Sequence, residues 1–227
     1  MDFETTGLSK ITDRMIEIAA ILFKDGEITD SFVTLVNPKI QISDTITNIT
    51  GITNHMVANA PTEKEIVDDL HTFIGNYPLV AHNMKFDHGF LKELFKRYNL
   101  PEKSNQLYDT LHLARVTNFD QPTYNLGFLS ELYNLSSEGS HRAKKDSENC
   151  GYIFMHFIDE ASTYPLEVIS KCVSIMNGRD YFNTSFFINL ANLYLKQQIT
   201  SKGLTKSKLN RNIQNNKFNQ ESDSSFY

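Results

Sequence analysis

The stretch from Met15 to Val36 constrains this chain most. An apolar run reaches Phe23, Asp25-Gly26 marks a turn, and a second extended run follows from Ile28. An Asp-Gly pair between two strand-forming runs closes a β-hairpin. Beyond it the pattern alternates between helix and strand. Pro61 precedes Thr62-Glu63-Lys64-Glu65, a capping box, and Ile66, Leu70, Phe73 and Tyr77 continue at helical spacing. Leu79-Val80-Ala81 reads as a short buried strand, and Asp87 to Tyr98 as a helix ending near Asn99 and Pro101. Leu126, Leu129 and Tyr133 mark another helix, and Lys144 to Ile158 the last of this series. A hairpin followed by mixed strand and helix units predicts an α/β fold, a mixed sheet with helices on both faces.

The 227 residues suffice for one well-buried domain and an appendage. We expect the domain over residues 1–160, a helical hairpin over 161–199 and a disordered tail or linker over 200–227. In the hairpin, Leu166, Ile169, Val173 and Met176 share one face, Gly178 interrupts, and Phe186, Phe187, Leu190, Leu193 and Tyr194 form a second stripe. The tail is rich in Lys, Asn, Gln and Ser. Lys202, Lys206, Lys208, Arg211 and Lys217 make it basic, leaving an acidic body within a net charge of −5. That balance argues against a protein that grips nucleic acid by bulk electrostatics. It leaves room for an acidic site neutralised by bound cations. Cys150 and Cys172 lack metal-like spacing and read as reduced thiols. With no apolar run of transmembrane length and no signal-like opening, the expectation is a soluble cytoplasmic protein without a membrane partner.

Four acids stand out. Asp2 and Glu4 lie two apart in an extended segment, so they share a face. Asp87 precedes Phe90, Leu91, Leu94, Phe95 and Tyr98 by 3, 4, 7, 8 and 11 residues, which puts it at the head of an apolar stripe. Asp146 stands in the same relation to Cys150, Ile153, Phe154 and Phe157. Each case has an ordinary explanation, an exposed strand end or a helix N-terminal acid. A carboxylate on a buried face is nevertheless costly unless it is paired or binds a cation. His141 lies five residues before Asp146, beside Arg142, Lys144 and Lys145, which could attract phosphate.

Three segments, DFETTG (2–7), AHNMKFD (81–87) and HRAKKD (141–146), resemble the three motifs of the DEDDh exonucleases, as NITGITNHMVANAP (48–61) resembles their linking segment. That family includes the proofreading epsilon subunit of bacterial DNA polymerase III. The resemblance covers about residues 1–160 and implies an RNase H-like fold. It also implies a metal-dependent 3′→5′ exonuclease that releases nucleoside 5′-monophosphates from single-stranded DNA 3′ ends. Asp2, Glu4 and Asp146 would hold two divalent cations, Mg²⁺ or Mn²⁺, with Asp87 supporting the second. His141 would be the general base. Thr5, Thr6, His82, Asn83 and Phe86 would line the pocket of the terminal nucleotide.

Residues after 160, around Tyr164-Pro165-Leu166, are similar to the segment that follows the exonuclease domain in some DinG-type helicases. A helicase or polymerase is therefore an expected partner, although the chain has no Walker A sequence of its own. The motifs do not choose between DNA and RNA, so RNA trimming stays open. A weakly active or inactive nucleic-acid-binding module also stays open, because the family's first strand usually has an apolar run before its first acid, and here only Met1 precedes Asp2. From this we expect a poorly supported first strand.

Overall fold

The computed structural model describes residues 1–136, 142–176 and 182–202. The predicted hairpin is present. Strands β2 (Met15–Lys24) and β3 (Glu27–Leu35) run antiparallel, and Asp25 and Gly26 turn at positive φ. Strand β1 (Asp2–Thr5) pairs antiparallel with the other edge of β2, giving the order β1-β2-β3. Strands β4 (Leu79–Ala81) and β5 (Leu107–Asp109) form a separate parallel pair. The Met1 ammonium donates to the Val80 carbonyl of β4 at 2.7 Å, linking the two pieces beside β1.

Helices α1 (Asp44–Thr50) and α2 (Asn54–Val57) occupy the linking segment, each capped by its own Ser43 or Thr53 side chain. Helix α3 (Glu63–Ile74) opens with the predicted capping box, in which the Thr62 N–H donates to Glu65 Oε2 at 2.7 Å. Helix α4 (Met84–Arg97) starts three residues before the sequence pattern suggested, because Asn83, its N-cap, takes a left-handed conformation. Helix α5 (Thr110–Thr117) follows β5 directly, and α6 (Leu126–Leu132) and α7 (Ala143–Ser162) follow in turn. Sequence reading missed β5 and α5. A three-residue strand and an eight-residue helix offer too few periods for a repeat to show.

Period-two alternation along β1 decides the layering. Phe3 and its cross-strand partner Ile18 turn into a core built with Ile66 and Leu70 of α3 and Phe90, Leu91 and Leu94 of α4. Asp2, opposite Ala19, and Glu4, opposite Glu17, turn to the other face. There α7 packs, its Ser147 hydroxyl donating to the Ala19 carbonyl at 3.0 Å. Gly151 lets α7 approach β2 closely, since a Cβ there would lie 2.3 Å from the Phe23 ring. Helices thus cover both faces, as expected.

One compact unit comprises Met1–Thr163 with Asp180–Asn183, and a second comprises Tyr164–Arg179 with Thr184–Tyr227. The first extends past residue 160 because α7 runs unbroken to Ser162. In the second, α8 (Leu166–Met176) packs against α9 (Thr184–Lys202), with Ile169, Phe186, Phe187 and Leu190 buried. The predicted break at Gly178 and the tail beyond Lys202 lie outside the described residues. No helix among the described residues is long and apolar enough to cross a membrane.

Met1 is itself buried. Beside it lies a cavity of about 270 Å³, walled by Ala20 to Phe23 of β2, Leu79 and Val80 of β4, and Phe154 and Met155 of α7. Strand β1 pairs with β2 only as far as Ala19, so the next β2 residues, still paired with β3 on their other edge, line this cavity.

Candidate active site

Strand alternation and helix packing bring three acids from two distant segments to one place. One carboxylate oxygen from each of Asp2, Glu4 and Asp146 lies within 4.8 Å of the others. Asp87 stands behind them, buried in the first turn of α4, and its Oδ1 accepts a 3.0 Å hydrogen bond from the Phe3 N–H. That bond places Asp87 against the backbone between Asp2 and Glu4.

The electrostatics follow from burial and like charge. Burial, and then Asp146, push the Asp2 carboxyl up to about 7. Burial, then Asp2 and Asp146, push Glu4 up to about 8. Asp87 is raised well above the usual carboxylate range by burial and then by Asp2. Like charge and burial thus disfavour full ionisation of these carboxyls together. All-oxygen donors at this spacing suit a hard divalent cation, which would relieve the repulsion.

The other predicted residues that are described lie at the end of β1 and in the turn from β4 into α4. Thr5 is buried, and its hydroxyl donates to the Gly7 carbonyl at 2.6 Å. The Thr6 hydroxyl donates to Asp13 Oδ1 at 3.2 Å and accepts from the Arg14 N–H at 3.1 Å. A Cβ at position 7 would sit 2.5 Å from the Asp13 carboxylate, so a larger residue there would displace that side chain from its bond to Thr6. His82 Nδ1 lies 3.0 Å from the Thr110 hydroxyl, and burial holds this imidazole below its usual pKa. Asn83 sits at φ 70°, and Phe86 stacks obliquely on Phe90 at 5.0 Å. His141 lies outside the described residues, although Arg142 and Asp146 on its C-terminal side are placed.

Two supporting acids escaped the sequence reading. Asp109 is buried at the end of β5, caps α5 through the Leu111 N–H at 2.9 Å, and accepts from the Asn83 N–H at 3.1 Å. It therefore holds the turn that presents His82, Asn83 and Phe86. Glu17 lies buried in β2 beneath Arg142. A lone acid inside an apolar strand run was the available signal for Glu17. For Asp109 the signal was an acid just before a helix, which many exposed caps share.

Known proteins resemble this chain in sequence and fold. The RNase T exonuclease family profile matches residues 1–154. The PolC-type DNA polymerase III of Oceanobacillus iheyensis is 41% identical over 157 residues, 69% of this chain and 11% of that polymerase. The chain thus spans about a tenth of the length of the polymerases it matches. Exonuclease X, solved in complex with 5′ overhanging duplex DNA, superposes with a TM-score of 0.57 at 27% identity, covering 73% of this chain and 93% of that one. The nuclease domain of 3′hExo, a DEDDh family member bound to rAMP, shares the fold with a TM-score of 0.60 at 22% identity, over 70% and 90% of the two chains. With two thirds of its length matched and its acids gathered in one place, the chain belongs to the RNase T exonuclease family, the DEDDh 3′→5′ exonucleases that its three motifs resemble.

Proposed function

We propose that this chain hydrolyses single-stranded DNA from the 3′ end, releasing nucleoside 5′-monophosphates, with Asp2, Glu4 and Asp146 holding two divalent cations, Mg²⁺ or Mn²⁺. The observation that carries this reading is the convergence of those three carboxylates within 4.8 Å. When bound, a cation pair lowers the pKa of the attacking water and stabilises the departing 3′ oxygen. Asp87 steadies the cluster from the β1 backbone. His141 takes the proton of the attacking water. Thr5, Thr6, His82, Asn83 and Phe86 enclose the terminal nucleotide, with Phe86 offering a ring face for base stacking. The partner is a polymerase, since the similar stretch in the relatives lies within a polymerase chain.

A 3′-labelled single strand incubated with Mg²⁺ or Mn²⁺ should yield labelled mononucleotide, and EDTA should abolish the release. The same assay on RNA distinguishes the sugar. Binding without release, under either cation, would leave a nucleic-acid-binding module in place of an enzyme.

The raised carboxyls also set a pH dependence. A Glu4 carboxyl at about 8 in the folded protein and near 4.5 when unfolded binds more protons folded than unfolded. Without cation, stability should therefore fall as pH rises between roughly 4.5 and 8. A cation saturating the site about a hundredfold over its Kd adds about 2.7 kcal/mol. For a domain of this size that is a rise of about 5–10 °C in melting temperature. The rise should be larger at pH 8 than at pH 5.5, where protons compete for the same oxygens. Melts at both pH values, with and without millimolar Mg²⁺, check this. A curve unmoved by cation at pH 8 would count against the cluster as a metal site.

A further inference from the structure

Glu17 is a charged residue within an otherwise apolar run, Met15-Ile16-Glu17-Ile18-Ala19-Ala20, and it is 3% exposed. It lies directly opposite Glu4 in the β1–β2 ladder, on the face that bears the acidic cluster. A fourth carboxylate beside three others worsens their repulsion, and Glu17 contributes to raising both Asp2 and Glu4. Packing alone would be served as well by an apolar side chain, since a buried ion pair is weak evidence for stability. The residue needs another explanation.

Its hydrogen bonds supply one. The Arg142 guanidinium grips Glu17 in a fork, with Nη2 at 2.5 Å from Oε1 and Nε at 3.1 Å from Oε2. The Ala143 N–H, at the first position of α7, donates to Oε2 at 3.0 Å. Helix α7 has no side-chain cap from its own N-cap residue Arg142. Glu17 therefore caps it from across the sheet, where a carboxylate is favoured by the helix dipole. One turn further on, Ser147 bonds the Ala19 carbonyl. The two ties fall on alternate β2 residues, 17 and 19, which are the cross-strand partners of Glu4 and Asp2. Asp146 lies between the two tied residues of α7.

We propose that Glu17 is a positioning residue for cation binding, fixing the first turn of α7 to the sheet so that the Asp146 carboxylate is held beside Asp2 and Glu4. The inference rests on the reading of that cluster as a divalent-cation site. Glu17 itself touches neither substrate nor cation. Partners that orient metal ligands in this way typically contribute 10- to 100-fold to affinity or activity.

The test uses the full chain and Mn²⁺ itself, with free Mn²⁺ followed by electron paramagnetic resonance and every variant also melted without metal. Glu17→Gln keeps an acceptor for Ala143 but loosens the grip on Arg142, and Arg142→Gln breaks the same pair from a side chain that is 43% exposed. Simple electrostatics moves the two variants in opposite directions, because Glu17→Gln removes a negative charge near the site and Arg142→Gln removes a positive one. Positioning weakens Mn²⁺ binding in both, by about 10- to 100-fold. It lowers kcat for mononucleotide release more than it raises KM for DNA. Tighter Mn²⁺ binding by Arg142→Gln, or unchanged binding by a folded Glu17→Gln, would overturn the proposal. If Glu17→Gln does not fold, the direction of the Arg142→Gln shift decides. An unmodified chain that takes up no Mn²⁺ would instead remove the reading of the cluster on which the proposal depends.

Discussion

Replacing His141 with alanine is expected to slow mononucleotide release by about 10²–10⁴-fold while leaving DNA affinity nearly unchanged. The expectation comes from the HRAKKD motif, in which the histidine precedes Asp146 by five residues, together with the position of Asp146 in the acidic cluster. An imidazole is neutral near pH 7 and can accept a proton there, which no carboxylate already engaged with a cation does well. Asp146→Asn should behave differently, losing cation affinity as well as rate, since one of three converging oxygens loses its charge. Single-turnover rates and Mn²⁺ binding, measured on both variants, separate proton transfer from metal holding. A His141→Ala protein that unfolds, yet whose folded fraction remains fully active, would make the histidine structural.

Filling the cavity beside Met1 is expected to raise the melting temperature. That cavity of about 270 Å³ lies between β2 and β4, and its walls are mainly apolar. Ala20 stands on its β2 wall and has the smallest side chain there apart from the glycine of α7. Ala20→Val adds two methyl groups at a strand position, where a β-branched side chain is favoured. Cavity filling of this kind contributes about 0.5–2 kcal/mol. For a domain of this size that is a rise of about 1–8 °C in melting temperature. Thermal melts of the two proteins without metal check this. A melting temperature that Ala20→Val leaves unchanged or lowers would mean that the space is not open to that side chain.

What could be read from the sequence was local and periodic. The Asp25-Gly26 turn, the Thr62 capping box and the apolar stripes of α4 and α7 depend on residues within a few positions of one another, so spacing alone reveals them. The same spacing showed that Asp87 and Asp146 lie on buried helix faces and that Asp2 and Glu4 share a strand face. It could not show that these faces meet. Asp2 and Asp146 are far apart in the chain, and only the packing of α7 across β1 and β2 brings their oxygens together. Glu17 and Asp109 illustrate the same limit. In sequence, one is a lone acid in an apolar strand run and the other an acid before a helix, and neither shows which residue it will meet. Their roles come from long-range hydrogen bonds, Glu17 to Arg142 and Ala143, and Asp109 to Asn83. Such bonds join residues with no fixed sequence separation and so leave no periodic trace. Periodicity orients a side chain relative to its own backbone, and only the folded chain determines what that side chain meets.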